Sequence, residues 1–555
     1  MNHKTILFSL LIFCHTGLLL AQDPGDDAGL DIDPEEIDIV KPFEPTLADA
    51  VKVEFSPDLP TPEEIKQNQP VFGNYQVPNR FLTIAYQPPT LKPLAYQPSK
   101  KGKNDGEKLH NAWIRAGFGT QSTPVLDIAL SSGKSDKRVI GANGSYISSK
   151  GNLDFQDYSR TKVGVYGKMF TDEAFFGGNI DFNSNQFYHY GYNQDDSTLV
   201  FTEDEVKQEF NKISVRGEMG NSTESRSEID YHTDVAYHNY QNKGFEATEN
   251  NFIIKGEAEL PMNDDWLMGG DAFLHFNNAS NTDTSNVGNV VVNLRPKFTY
   301  VADFGRFTGG ANLGFDDNNL SAFPYLNLEA YLVPDKLTVY GGWEKQFVKN
   351  SYMSITEDNP FVMPFFDLQN SQKEDRFIGA KGAVNSISYN VRIGQELTSK
   401  QPLYVNDSID GKTFRVVYDT QMKTFNPQVE VAYQLGEKLM TSLSFNIYSY
   451  TLEDEAEAWQ LPNARINLKA QIKPIDKLDV TGELFVMSGA KGRLADGTAQ
   501  DLKNYTDLNF AAKYKLFDNL SVFANINNAL GIKAERYLNY PTYGLNLLGG
   551  AILKF

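Results

Sequence analysis

The 555-residue chain holds one cysteine, Cys14, and it lies close to the N-terminus. A lipoprotein reading of Leu11-Ile12-Phe13-Cys14 fails, because bulky Phe13 stands where a small residue is needed. Disulfide scaffolds and thiol-ligated metal centres are thereby excluded downstream. Beyond the first 21 residues there is no apolar run of about 18 residues, so no transmembrane helix is expected. Positive charge is also in short supply, with 51 Lys and Arg against 71 Asp and Glu and a net charge of -20. That balance excludes a nucleic-acid partner, which requires clustered cations. No Gly-x-Ser-x-Gly elbow, His-Glu-x-x-His pair or phosphate loop occurs.

What is present begins with Lys4 and an apolar run from Ile6 to Leu20 that stops at Ala21-Gln22, which reads as a secretory signal peptide over 1–21. From Asn111 onward the pattern is strict alternation, the period of strands with two unlike faces. Phe252, Ile254, Gly256, Ala258 and Leu260 alternate with Ile253, Lys255, Glu257 and Glu259. Ile466, Leu468, Ala470 and Ile472 alternate with Arg465, Asn467, Lys469, Gln471 and Lys473. Leu508, Phe510, Ala512, Tyr514 and Leu516 alternate with Asp507, Asn509, Ala511, Lys513 and Lys515. One face meets lipid and the other a wet lumen, which reconciles a mean hydropathy of -0.42 with a membrane protein. The 28 tyrosines and 37 phenylalanines suit two interfacial girdles.

Polar turns recur at 133–136, 171–172, 221–227, 263–265, 303–305, 334–336, 385–386, 436–438, 474–477 and 517–519. Ten turns on one side separate eleven hairpins, so the predicted fold class is all-β, a transmembrane antiparallel barrel of about 22 strands (range about 18 to 22) over 111–555. The hairpin tips opposite these turns are longer and more polar, as extracellular loops are expected to be. The last strand alternates back from Phe555 through Leu553, the form in which outer-membrane barrels present an assembly signal to the barrel assembly machinery.

Residues 22–110 form an acidic, Pro-rich segment expected in the periplasm. Gln22 to Pro70 holds 14 acidic side chains against three lysines, a net of -11, with eight prolines. Such a stretch is extended rather than folded. Ala85-Tyr86-Gln87-Pro88 repeats as Ala95-Tyr96-Gln97-Pro98, in polyproline-like context. Apolar Ile37, Ile39, Val40 and Phe43 recur among the charges as anchors for a partner protein, where a plain solvated spacer would not need them.

Asn525-Ile526-Asn527-Asn528-Ala529-Leu530, Tyr537, Tyr540-Pro541, Gly544 and terminal Phe555 resemble the closing strands of TonB-dependent receptors. The resemblance implies a 22-stranded barrel in the outer membrane of a Gram-negative bacterium. Those receptors carry a plug domain before the first strand, whereas Gln22 to His110 lacks the glycine-rich, β-branched pattern of a plug. Glu36-Ile37-Asp38-Ile39-Val40 resembles the short segment by which such receptors engage their energising partner.

His232 and His238 stand six apart with Asp230 on one strand face, a grouping open to a metal site or an acid/base dyad but read as polar lumen or girdle residues. The run Phe187-Tyr188-His189-Tyr190-Gly191-Tyr192 is read as an interfacial anchor at the outer rim. The segment 350–374 breaks the hairpin rhythm and places Phe361, Val362, Met363, Phe365 and Phe366 in an external loop. It reads either as a lumen constriction or contact for a protein or ligand, or as packing among neighbouring loops. The expectation is a non-enzymatic barrel without cofactor or metal, embedded in outer-membrane lipid. It would pass a solute or serve as the membrane subunit of an assembly, through a periplasmic or surface partner. A non-conducting scaffold is the rival, and an outer-membrane enzyme a third reading.

Overall fold

The computed structural model describes residues 111–555 except 133–136, 193–198, 223–224, 226, 282–285, 318, 335, 365–367, 408–410 and 437. The expected turn at 133–136, the acidic segment with Ile37, Ile39, Val40 and Phe43, and Phe365 and Phe366 therefore lie outside the described residues.

Strands run in chain order as β1 (Ala112–Gly119), β2 (Thr123–Ser131), β3 (Arg138–Ser149), β4 (Tyr158–Phe170), β5 (Ala174–Tyr188), β6 (Lys207–Asn221), β7 (Asp230–Asn242), β8 (Ala247–Pro261) and β9 (Trp266–Ser280). Next come β10 (Val287–Ala302), β11 (Gly305–Asp316), β12 (Asn319–Val333), β13 (Leu337–Val348), β14 (Ser371–Val384), β15 (Ile387–Asn406), β16 (Phe414–Leu435), β17 (Leu439–Ile447) and β18 (Ser449–Thr451). The chain ends with β19 (Ala464–Ile475), β20 (Leu478–Ser488), β21 (Lys491–Arg493), β22 (Ala499–Asp501), β23 (Tyr505–Phe517), β24 (Leu520–Asn527), β25 (Glu535–Tyr537), β26 (Tyr540–Pro541) and β27 (Asn546–Lys554). Among the described residues two short helices, α1 (Glu203–Val206) and α2 (Tyr352–Asp358), lie in loops, and no helix is long and apolar enough to cross a membrane.

Each strand pairs antiparallel with the next, and β27 pairs with both β24 and β1. β17 and β18 are one strand interrupted at Tyr448, both pairing with β16, so the closed ring has 22 strands. β21 with β22, and β25 with β26, form separate loop hairpins. At the seam Phe555 and Ala112 exchange backbone hydrogen bonds of 2.8 and 3.0 Å. Gly117 faces Gly550 there, and a Cβ on Gly550 would stand 2.1 Å from the Ala116 carbonyl oxygen. The seam glycines thus let the two ends of the sheet approach.

Apart from the eight-residue link 222–229, the described turns beside the chain ends are short, and they fall where the sequence places them. The opposite rim departs from expectation in one respect: Thr120–Ser122 and Lys243–Glu246 are as tight as the turns below. The longest links there are 349–370, 189–206 and 528–545, followed by 489–504, which holds the β21–β22 hairpin, and 452–463.

The alternation holds. On β27, Leu547 and Leu553 are exposed outward while Asn546, Leu548 and Ile552 are buried inside. Outward residues such as Val163, Ile180, Val215 and Ile393 form an apolar band, as lipid requires. Inward charges pair across the wall: Arg115 with Asp127 at 2.6 Å, Lys297 with Asp271 at 3.0 Å, Arg392 with Asp375 at 2.5 Å, and Lys373 with Glu396 at 2.9 Å.

Candidate functional site

The link between β13 and β14 folds inward rather than outward. Asn350 clasps its two ends, its side-chain amide donating to Gln369 O at 2.8 Å and to Ser371 Oγ at 2.9 Å. Ser351 then starts α2 through a capping arrangement with Ser354, which sets the helix across the mouth.

Glu249, fully buried on the inner face of β8, receives that helix. Its carboxylate accepts the backbone amides of Tyr352 at 3.0 Å and Met353 at 2.8 Å. The same carboxylate accepts the Asn277 amide at 2.6 Å and the Asn251 amide at 3.0 Å. A carboxylate at the first amides of a helix also meets the positive end of its dipole. Further along, Thr356 hydrogen-bonds Tyr240 at 2.8 Å, Asn242 donates to the Tyr352 hydroxyl at 2.9 Å, and Lys212 pairs with Glu357 at 2.5 Å.

Beyond α2 the segment reaches other arcs of the ring. The Phe414 amide donates to Phe361 O at 3.0 Å and Met363 N donates to Phe414 O at 3.0 Å, tying the tip to the start of β16. The Tyr537 hydroxyl donates to the Asp358 carbonyl. Phe361, only 2% exposed, stacks on Tyr540 with ring centroids 3.6 Å apart. It also stands edge-on to Phe187 at 5.6 Å and to Tyr190 at 6.2 Å. Phe187, Phe210 and Tyr240 stack in turn at 5.4 Å spacings on β5, β6 and β7. In ring order, β6–β7, β13–β14 and the last loop come from arcs about a third of the circumference apart, so contacts among all three span the mouth opposite the chain ends.

The last loop is pinned from several sides. Tyr190 Oη donates to Pro541 O at 3.1 Å, Gln156 to the same oxygen at 2.9 Å, and Arg536 to Gln460 O at 3.2 Å. Tyr540 and Tyr543 donate to the carbonyls of Lys412 and Gln156.

Of the sequence-predicted residues, Phe361 lies in this closure. Met363 is 38% exposed and contributes its backbone alone. Leu553 and Phe555 face outward at the seam. The expectation for 187–192 requires correction: Phe187, His189 and Tyr190 turn inward to Phe361, and Tyr190 also to Tyr540, while Tyr188, 6% exposed, packs on Phe155 and Glu203. They follow the inner face of β5 over the rim, where aromatic partners from two other loops bury more of each ring than an interface would.

His232, His238 and Asp230 share the lumen face but form no joint site. His238 Nδ1 is 2.8 Å from Ser214 Oγ, and His232 groups instead with Glu218 and Asp234. Those carboxylates also bond Lys168 and Arg216. Glu249 and Glu357 escaped sequence reasoning, because a strand glutamate and a loop glutamate carry no sign of what they meet.

Two ionisable groups in the closure are displaced. Burial pushes Lys349 down to about 7, opposed by the nearby carboxylates Glu249, Asp317 and Asp316. Burial raises Asp358, opposed by Arg536.

These features define a class: a closed, 22-stranded transmembrane-type β-barrel with its own loops folded across the mouth opposite the chain ends. Among solved structures, it is similar to the FrpB iron transporter of Neisseria meningitidis (TM-score 0.64, 9% identity, covering 81% of this chain and 82% of that one). It is also similar to the siderophore receptor PirA of Pseudomonas aeruginosa (0.57, 12%, 80% and 79%). A ferric enterobactin receptor of Pseudomonas aeruginosa, PfeA, aligns likewise (0.59, 9%, 80% and 80%). At these identities the likeness is one of fold. No family model matches the sequence, and the comparison with curated proteins found no match.

Glu249→Ala leaves four buried donors without their acceptor and weakens docking of α2 by about 2–3 kcal/mol. The intact barrel is then nicked by protease within 349–370 while the wild type resists. Equal resistance contradicts the anchoring role.

The pH dependence follows from Lys349. With the loop open its amine regains an ordinary value of about 10.4, so between about 7 and that value the open state binds more protons. Closure therefore strengthens as pH rises through this window and is flat with respect to this group below it. Hydrogen exchange of 352–362 should slow accordingly, after correction for intrinsic exchange, and Lys349→Met should remove the trend.

Proposed function

We propose that the chain is an outer-membrane barrel of the TonB-dependent-receptor type that admits a solute through a mouth held shut by the loop 349–370. The carrying observation is the convergence of Glu249 on β8, Phe414 on β16 and Tyr540 in the last loop, from three arcs of the ring, on one inward-folded loop. The fold shared with proteins named as iron transporters and siderophore receptors supports the transport reading. It also supports placement in the outer membrane of a Gram-negative bacterium, with the chain ends and the acidic segment 22–110 on the periplasmic side.

A lumen of this width cannot be filled by wall side chains. A closed mouth suits a conduit that opens on demand better than a standing pore. In this reading, residues 22–110 carry no plug and Ile37, Ile39, Val40 and Phe43 meet a periplasmic partner. Leu553 and Phe555 present the last strand to the assembly machinery. The protein performs no catalysis.

Single-channel conductance separates this reading from a scaffold. The wild type, a variant lacking 23–110, one with 351–364 replaced by a short Gly-Ser link, and the double variant are compared. The double variant is expected to conduct strongly, and deletion of 23–110 alone is not. Strong conductance from that single deletion places the closure elsewhere, and silence from the double variant favours the scaffold.

A further inference from the structure

Below the closure, the lumen wall gathers cations that the barrel's own pairing does not use up. Lys162 on β4 is opposite Asn183 on β5, and Asn183 is opposite Lys212 on β6, so both amines stand in one row. Arg160 lies one inward position higher, its Nε donating to Asn185 at 3.0 Å. Lys162 is exposed to the lumen. Around it are the cations Arg160 and Lys212 and the carboxylates Asp181, from the wall, and Glu357, from α2.

Glu357 is the member of this group that belongs to the loop, and it reaches Lys212 at 2.5 Å with both side chains about a quarter exposed. With the loop lifted, three cations would face one carboxylate. A patch of that kind, open to water yet walled by protein, attracts anions more strongly than an exposed surface does.

We propose that Arg160, Lys162 and Lys212 form an anion-binding subsite for a small solute bearing several carboxylates, and that Glu357 is its tethered occupant in the closed barrel. Entry of such a solute displaces Glu357 and removes one of the contacts that hold α2 down, so binding favours opening. This rests on the reading of the chain as a self-closed transport barrel. A tethered competitor acts at an effective concentration of millimolar order, so its removal is felt directly in the affinity of a free ligand.

The test uses the full chain in detergent with citrate as the probe, by calorimetry at low salt and at about 0.5 M salt. Glu357→Gln is expected to bind citrate about tenfold more tightly than the wild type, since the competing charge is gone. Lys162→Gln, a lumen-exposed site with little to disturb, and the pair Arg160→Gln with Lys212→Gln should weaken binding about tenfold. High salt should weaken it in every protein that binds. Heat-modifiable mobility confirms that each barrel is folded. Equal affinity of wild type and Glu357→Gln, or unchanged binding in the cation variants, overturns the subsite. Binding is read without conductance. A barrel that shows the Glu357 effect but never conducts therefore contradicts the transport reading alone, and one that conducts without the effect contradicts the subsite alone.

Discussion

Lipid offers a backbone no hydrogen-bond partner, and this constraint governs the rest of the structure. Every amide and carbonyl at membrane depth must find its mate within the sheet, so the sheet has to return to its first strand. Here the return is made by β27 on β1, with register from Trp113 opposite Lys554 to Gly119 opposite Leu548. Once the ring closes at 22 strands, the inner face encloses a space that wall side chains cannot fill. The alternation that satisfies lipid outside therefore commits the chain to a polar interior.

That interior follows two regimes. Along the wall, cations and carboxylates on neighbouring strands neutralise one another, as in Arg392 with Asp375 and Lys297 with Asp271. Near the rim opposite the chain ends the wall instead offers amides and aromatic rings, and loops from three arcs settle on them. Glu249 is the hinge between the regimes: a wall carboxylate whose partners are not a cation but helix amides and asparagines. The mouth is thus closed by hydrogen bonds directed at one residue and by rings packed around Phe361. The Lys212–Glu357 pair then adds a charge contact that a competing anion can replace.

The sequence revealed the wall and concealed the mouth. Alternation on β8, β19 and β23 depends on the local contrast between lipid and lumen, which each strand experiences alone, so it could be read residue by residue. The short turns beside the chain ends were legible for the same reason. The closure depends on contacts separated by more than a hundred residues, such as Tyr352 with Glu249 and Phe361 with Tyr540. Nothing near Phe361 says whether an apolar loop turns inward. The Phe187–Tyr192 run misled because aromatic rings at a barrel rim suit a membrane interface and a loop core equally well. Tyr537 and Tyr540 were noticed for their resemblance to a receptor's closing strands, yet their place in the closure became visible only with the loop that meets them.

The central claim is that the tip of the loop 349–370 rests on the start of β16 inside the mouth. The pair Val362 and Phe414, bridged in parallel and both buried, gives the most direct test. Cysteines at these two positions lie within the span a disulfide can bridge, and the only native cysteine is Cys14. The measurement is the yield of the Val362→Cys/Phe414→Cys cross-link in the folded, membrane-embedded protein, read by mass spectrometry of its peptides. The account predicts near-complete cross-linking once copper phenanthroline and oxygen are supplied as the two-electron oxidant. Two free, reagent-accessible thiols in a folded barrel would mean that the loop does not close the mouth.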